Sequence, residues 1–174
     1  MKIHVITLIV LLCKQLRIKA NSEVEDPFQG SSIISFCPHT DPNTNILKVK
    51  SLKITPDPPK RDSLLIVEGW GTLSEDVTIG SYISLSVAYG IVPILNLRAD
   101  LCKQTEREQF PCPISKGEYN ATREFHIPSH IFPGRYIIKA DIFLENNKRI
   151  ACFVVDVTFT PKFLLNYISI IIRN

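Results

Sequence analysis

The sequence predicts an all-β domain, folded as a two-sheet sandwich and exported through the secretory pathway. Three observations carry that reading. About seven segments alternate apolar and polar residues at short spacing. No helical apolar period intervenes between them, and such a string of strands packs as a sandwich. Four cysteines follow an N-terminus that has the layout of an export signal.

The N-terminus begins with Met1-Lys2, continues as an almost unbroken apolar run from Ile3 to Cys13, and reaches the small residue Ala20. This is the pattern of a signal peptide over residues 1–20. The run is too short for the ~20 residues that a spanning helix needs, which disfavours a retained anchor. Lys14, Arg17 and Lys19 nevertheless stand where a cleavage region is usually neutral. Removing residues 1–20 takes away four of the 20 Lys and Arg residues and no acid, leaving 16 basic and 17 acidic side chains, a net charge of −1. No basic stripe with interleaved aromatics remains, so the electrostatic footprint of a nucleic-acid binder is missing.

Residues 21–36 are mixed and polar and read as a leader. Leu47 and Val49 alternate with Lys48 and Lys50, and Leu52 and Ile54 continue one register later, which predicts a bulge. Thr55-Pro56-Asp57-Pro58-Pro59 cannot remain in a ladder, because three of its residues lack an N–H. Leu64–Val67 is a short strand flanked by Gly69-Trp70-Gly71. In Tyr82–Tyr89, residues Ile83, Leu85, Val87 and Tyr89 share one face. Pro93 confines the following run, Ile91–Leu97, to a sheet edge. Phe125 and Ile127 mark a shorter strand. Tyr136, Ile138, Ala140, Ile142 and Leu144 alternate up to a hairpin turn at Glu145–Lys148, and Phe153, Val155, Val157 and Phe159 alternate after it. One domain is expected over residues 37–160.

Cys37, Cys102, Cys112 and Cys152 remain after signal removal. An oxidising compartment favours two bridges, and three pairings are open. An antibody-type frame is disfavoured, because the outermost cysteines lie 115 positions apart and enclose no single pair of central strands. Asn120-Ala121-Thr122 is an N-glycosylation sequon that marks Asn120 as surface. Catalytic constellations are missing: there is no Gly-x-Ser-x-Gly elbow, His-Glu-x-x-His motif or phosphate-cradling glycine loop. His126 and His130 have the i, i+4 spacing of helix-borne metal ligands, but Pro128 lies between them in a β context. No enzyme activity, metal or cofactor is therefore expected.

Several strings occur in order: Thr55-Pro56-Asp57-Pro58-Pro59, Leu65-x-Val67-x-Gly69-x-Gly71, Asp100-Leu101-Cys102, Cys112-Pro113-Ile114-Ser115-Lys116-Gly117, Ile127-Pro128, Pro133-Gly134-x-Tyr136, and Cys152 before Val155-x-Val157-x-Phe159. Together they resemble the ML lipid-recognition domain family over roughly residues 35–160. They are most similar to its phosphatidylglycerol/phosphatidylinositol transfer branch, related to the lysosomal and secreted sterol carrier. The resemblance implies an immunoglobulin-like sandwich of two antiparallel sheets with an apolar cavity between them. It also implies bridges Cys37–Cys152 and Cys102–Cys112, and a mouth at Phe132-Pro133 with Ile94 and Ile127 nearby. The sterol carrier's extra small disulfide loop is missing here, which favours the phospholipid branch. Alternation adds Ile83, Leu85, Val87, Tyr136, Ile138, Phe153 and Val155 as inward-facing lipid contacts.

The implied function is binding and transfer of a phospholipid or sterol by a monomer that touches membranes transiently. It would act after secretion or in a vacuolar or lysosomal lumen. A recognition or adhesion module working through a protein partner is the alternative. Two features depart from the pattern: Lys60-Arg61-Asp62 fills a turn where glycine is expected, and an apolar tail follows the domain at residues 161–174. The tail is read as an extra strand, a membrane-touching segment or read-through beyond the domain.

Overall fold

The computed structural model describes residues 27–28, 30–31, 33–106 and 110–161. The expected signal peptide and all of the apolar tail beyond Pro161 lie outside the described residues. Among the described residues eight strands form: β1 (Ile34–Phe36), β2 (Leu47–Thr55), β3 (Ser63–Leu73), β4 (Tyr82–Tyr89), β5 (Val92–Asp100), β6 (Gly117–Ile127), β7 (Gly134–Phe143) and β8 (Arg149–Phe159). They pair into two antiparallel sheets, one ordered β1-β8-β7-β4-β5 and the other β2-β3-β6.

Local chemistry explains most of the boundaries. The β2–β3 register shifts between Val49 and Ser51, the bulge that the displaced alternation predicts. Strand β2 stops at Thr55, where the proline cluster begins. Strand β5 lies at the end of its sheet, as Pro93 requires. Asp62 adopts φ +59°, so an aspartate takes the left-handed position at the turn where glycine was expected. In the β7–β8 hairpin the Leu144 N–H donates to the Lys148 carbonyl at 2.9 Å, and Asn147 takes φ +65°.

Three elements beyond the N-terminal segment differ from expectation. Strand β3 runs through Gly69-Trp70-Gly71, because a side chain at Gly71 would sit 2.7 Å from the Lys48 carbonyl oxygen. Glycine there permits close approach of the neighbouring backbone. Strand β6 extends back to Gly117, its outward positions being polar and its inward ones mixed in size. A one-and-a-half-turn helix, α1 (Leu101–Glu106), follows β5 and is too short to show a period.

Packing is concentrated in two places. At one end Ile46, Leu73, Val77, Leu144 and Ile150 are buried together, with Leu101, Cys112 and Ile114 against them. Along the β1–β8 side Phe28, Ile33, Ile34 and Ile54 form a second cluster with Phe36, Leu52, Leu65, Val67, Phe153 and Val155. The segment read as a leader therefore supplies core residues and an edge strand. The Phe28 and Phe36 rings meet edge-on at 4.8 Å, and those of Phe36 and Phe153 stack at 5.8 Å.

Both disulfides form in the pairing that the family resemblance implies. Cys37–Cys152 joins neighbouring chain segments of one sheet, beside a hydrogen bond from the Cys37 N–H to the Cys152 carbonyl. Cys102–Cys112 closes the loop that contains α1. Cys37–Cys152 spans 115 positions, and constraining so long a loop in the unfolded chain stabilises the fold by about 4–5 kcal/mol on the chain-entropy estimate. The double replacement Cys37→Ala/Cys152→Ala is expected to lose stability of that order, read as a fall in the denaturant midpoint.

Candidate functional site

Antiparallel pairing places directly opposed residues on the same face of a sheet, so the register itself defines the inner surface. Across the five-stranded sheet one row runs Phe36, Phe153, Ala140, Leu85 and Leu97. The next runs Ile34, Val155, Ile138, Val87 and Leu95. Ile83 continues the face opposite Ile142, and Tyr136 continues it opposite Tyr89 and Val157. Ile83, Leu85, Val87, Tyr136, Ile138, Phe153 and Val155 thus share one surface, and Phe153 and Val155 meet residues of the other sheet.

The other sheet faces it with Leu47, Val49, Leu52, Gly69, Tyr119 and Ala121. With Phe153, and with Ser51, Trp70 and Gly71, these residues line an inter-sheet cavity of ≈ 220 Å³. The two glycines on this face, Gly69 and Gly71, add no side-chain volume to the interior. Away from the β1–β8 side the apolar surface is not sealed. Leu95 and Leu97 keep 42% and 39% of their surface exposed and Phe125 keeps 52%, although all three lie on inward rows. Arg123, between Ala121 and Phe125 on the inner row of β6, is the one charge on these inward rows among the described residues and has an interaction of its own.

A second cavity of ≈ 380 Å³ opens at one end and is lined by Tyr89, Ile94, Phe132, Pro133 and Tyr136. Here Ile94, Phe132, Pro133 and Tyr136 come together. Ile127 ends β6 opposite Ser63 in the other sheet. Sequence reasoning left Tyr89, Leu95 and Leu97 out of the site, although the β4 alternation already placed Tyr89 on the same face as Val87. The inward residues of β2 and β3, and those of β6 other than Ile127, were also missed. The weak signal there was Tyr119-x-Ala121 leading into Phe125, diluted by small and charged residues.

The rim is built rigidly. The Tyr89 hydroxyl donates to the Pro133 carbonyl at 2.6 Å, and the Tyr136 hydroxyl donates to the Phe132 carbonyl at 3.1 Å. The Gly90 N–H donates to the Arg135 carbonyl at 2.8 Å, and Arg61 donates to the Ile131 and Thr160 carbonyls at 3.2 and 2.5 Å. The backbone of residues 131–135 is therefore held by several donors while the Phe132 side chain remains 77% exposed. Ile91, Val92 and Ile94 are also exposed, at the β4–β5 turn and along the start of β5. His126 lies on β6 and His130 in the loop beyond it, so their spacing does not fall on a helix.

The sequence comparisons agree with this architecture. A family model described as "ML domain" matches residues 31–159. The chain belongs to the ML domain family. Among curated relatives of this ML protein, a phosphatidylglycerol/phosphatidylinositol transfer protein of Aspergillus fumigatus is 36% identical over 126 residues, 72% of this chain and 71% of the relative. One of the same name from Neurospora crassa is 34% identical over 148 residues, 84% of this chain and 82% of the relative. Among solved structures, a Niemann-Pick type C2 protein from Japanese carpenter ant superposes with TM-score 0.54 at 18% identity, covering 74% of this chain and 99% of that one. Chicken MD-1, solved complexed with lipid IVa, gives TM-score 0.53 at 16% identity, covering 72% and 86%. These two likenesses establish the ML fold.

A Cβ at Gly134, which has φ +145°, would lie 2.5 Å from the Tyr89 ring. Gly134→Ala is expected to cost about 1–3 kcal/mol, and Tyr89→Phe, which loses only the hydroxyl, about 1 kcal/mol, both read by denaturant unfolding. Nearby, Arg135 Nε donates to Asp156 at 2.8 Å, and this hydrogen bond chiefly holds the Asp156 carboxyl below the ordinary carboxylate range. A depressed carboxyl stabilises the fold fully above its unfolded pKa, and the contribution fades as pH falls through the lowered value. The pair is exposed, so this acid-side loss is expected to be small and to shrink further with added salt.

Proposed function

We propose that this ML protein is a lipid carrier that takes a phospholipid or sterol into the space between its sheets and delivers it to another membrane. One observation carries the reading: the inward apolar rows remain open along β5 and β6, where an ordinary sandwich would be filled and closed. Two apolar cavities, one between the sheets and one behind the rim, fit acyl chains better than a polar substrate. The relatives' names support phosphatidylglycerol or phosphatidylinositol as cargo. The reading assigns the chain no reaction on the lipid.

The energetics favour exchange over retention. Burying an acyl chain is favourable by ~0.8 kcal/mol per methylene relative to water, but that gain nearly vanishes relative to a bilayer. Loading and release can then be close to balanced, and the barrier is the passage through water. The exposed Ile91, Val92, Ile94 and Phe132 supply a surface that can enter the membrane interface and shorten that passage. Two disulfides suit an oxidising site of action, secreted or in a vacuolar or lysosomal lumen, and the carrier is taken to act as a monomer.

Mass spectrometry of lipids extracted from oxidised protein, purified from a eukaryotic secretory host, is expected to show a stoichiometric phospholipid. A sterol would reassign the cargo. An empty protein that also refuses fluorescent phospholipid and sterol would overturn the carrier reading and favour a recognition module acting through a protein partner. Phe132→Asp is expected to slow vesicle-to-vesicle transfer by about tenfold or more, the equivalent of withdrawing one phenylalanine from an apolar contact, without abolishing lipid uptake.

A further inference from the structure

The outer face of the three-stranded sheet carries a feature that the carrier reading does not use. Trp70, the chain's only tryptophan, lies on the central strand β3 with 46% of its surface exposed. Its direct partners across the sheet are Ser51 on β2 and Asn120 on β6. The rows above and below it are largely polar: Lys53, Glu68 and Thr122 on one side, and Lys48, Thr72 and Glu118 on the other. Lys50 lies over the indole, 4.6 Å from the ring centroid. A cavity of ≈ 360 Å³ adjoins the ring and is bordered by Lys53, Glu68 and Asn120.

The sequon maps onto this face. Asn120 and Thr122 stand on the Trp70 side of β6, whereas Ala121, in register with Gly69, lies on the opposite face. Among the described residues β6 is the sheet edge, so a bulky group on Asn120 meets no further strand there. Direct cross-strand neighbours have Cβ atoms about 4.5–5.5 Å apart, which is the reach needed for the first sugar on Asn120 to lie on the indole. Sugar rings present a C–H face that suits an aromatic surface, and their hydroxyls suit the charged and amide groups around it.

We propose that Asn120 carries an N-linked glycan whose first sugar packs on Trp70. The solvent face of the three-stranded sheet is then covered by the chain's own sugar. The glycan shields a large aromatic from other proteins and blunts the exposed β6 edge against strand pairing.

The single tryptophan makes the test selective. Glycopeptide mapping of the full chain, produced in a eukaryotic secretory host, should find Asn120 occupied. Acrylamide quenching of tryptophan fluorescence should then be about twofold stronger in Thr122→Ala, which removes the sequon but keeps Asn120, than in the parent protein. Emission should shift to the red, Thr122→Ser should behave like the parent, and trimming the glycan to its first sugar should preserve the shielding. Fluorescent lipid uptake by each variant shows that the fold is intact. An unmodified Asn120 would overturn the proposal. So would an occupied Asn120 with equal quenching in parent and Thr122→Ala proteins.

Discussion

The structure depends on holding two sheets together while leaving part of their shared interior open. A filled sandwich draws its stability from interdigitated side chains across its whole inner surface. Among the described residues that packing is concentrated at the Ile46–Val77–Ile150 end and on the β1–β8 side, where Phe28 and Phe36 close over Phe153. The Cys37–Cys152 bridge lies along this second region and fastens the start of the domain to its last strand. A covalent constraint on the unfolded chain adds stability without occupying the volume that an open interior requires.

The rim follows from the same constraint at smaller scale. An apolar side chain left in water usually folds back against its own protein. Phe132 is kept from doing so because the backbone that bears it is hydrogen-bonded at successive carbonyls by Tyr136 and Tyr89, and at Ile131 by Arg61. The two tyrosines have a double role, since their rings meet edge-on at 5.2 Å and line the cavity behind Phe132. Gly134 is necessary because any larger residue would collide with the Tyr89 ring that secures this corner. Rigidity of the backbone and exposure of the side chain are thus one arrangement.

Much of this was legible in the sequence, for identifiable reasons. The period-two alternation in Tyr82–Tyr89 and Tyr136–Leu144 has one strong apolar phase, and the register reproduces it row by row. The prolines at 56, 58, 59 and 93 act through a missing N–H, a local effect that needs no tertiary knowledge. Strand β1 was hidden because Ile34 and Phe36 follow a polar stretch and gain a partner only from β8, more than a hundred positions away. The length of β6 was hidden because its inward row mixes Tyr119, Ala121 and Arg123, and its β partner is β3. Helix α1 is local but too short for periodicity to register. The site divides in the same way. The Phe132-Pro133 corner with Ile94 beside it came from the family resemblance, whereas the adjacency of Tyr89 rests on its long-range hydrogen bond to the Pro133 carbonyl, which no local pattern announces.

The two sheets also divide the molecule's work. The five-stranded sheet presents an apolar inner wall, while its outer face is tied by polar groups such as the bidentate Arg149–Asp141 pair. Among the described residues the three-stranded sheet is narrower and leaves the wall uncovered beside β6, with Leu95, Leu97 and Phe125 exposed. The mismatch between five strands and three is what keeps the interior accessible. Because that opening is set by strand number and register, which a single side chain rarely changes, point substitutions inside it act chiefly on cavity volume and shape. In the carrier role proposed above, substitutions at the rim would act on contact with the membrane, so capacity and delivery would be separable properties of this fold.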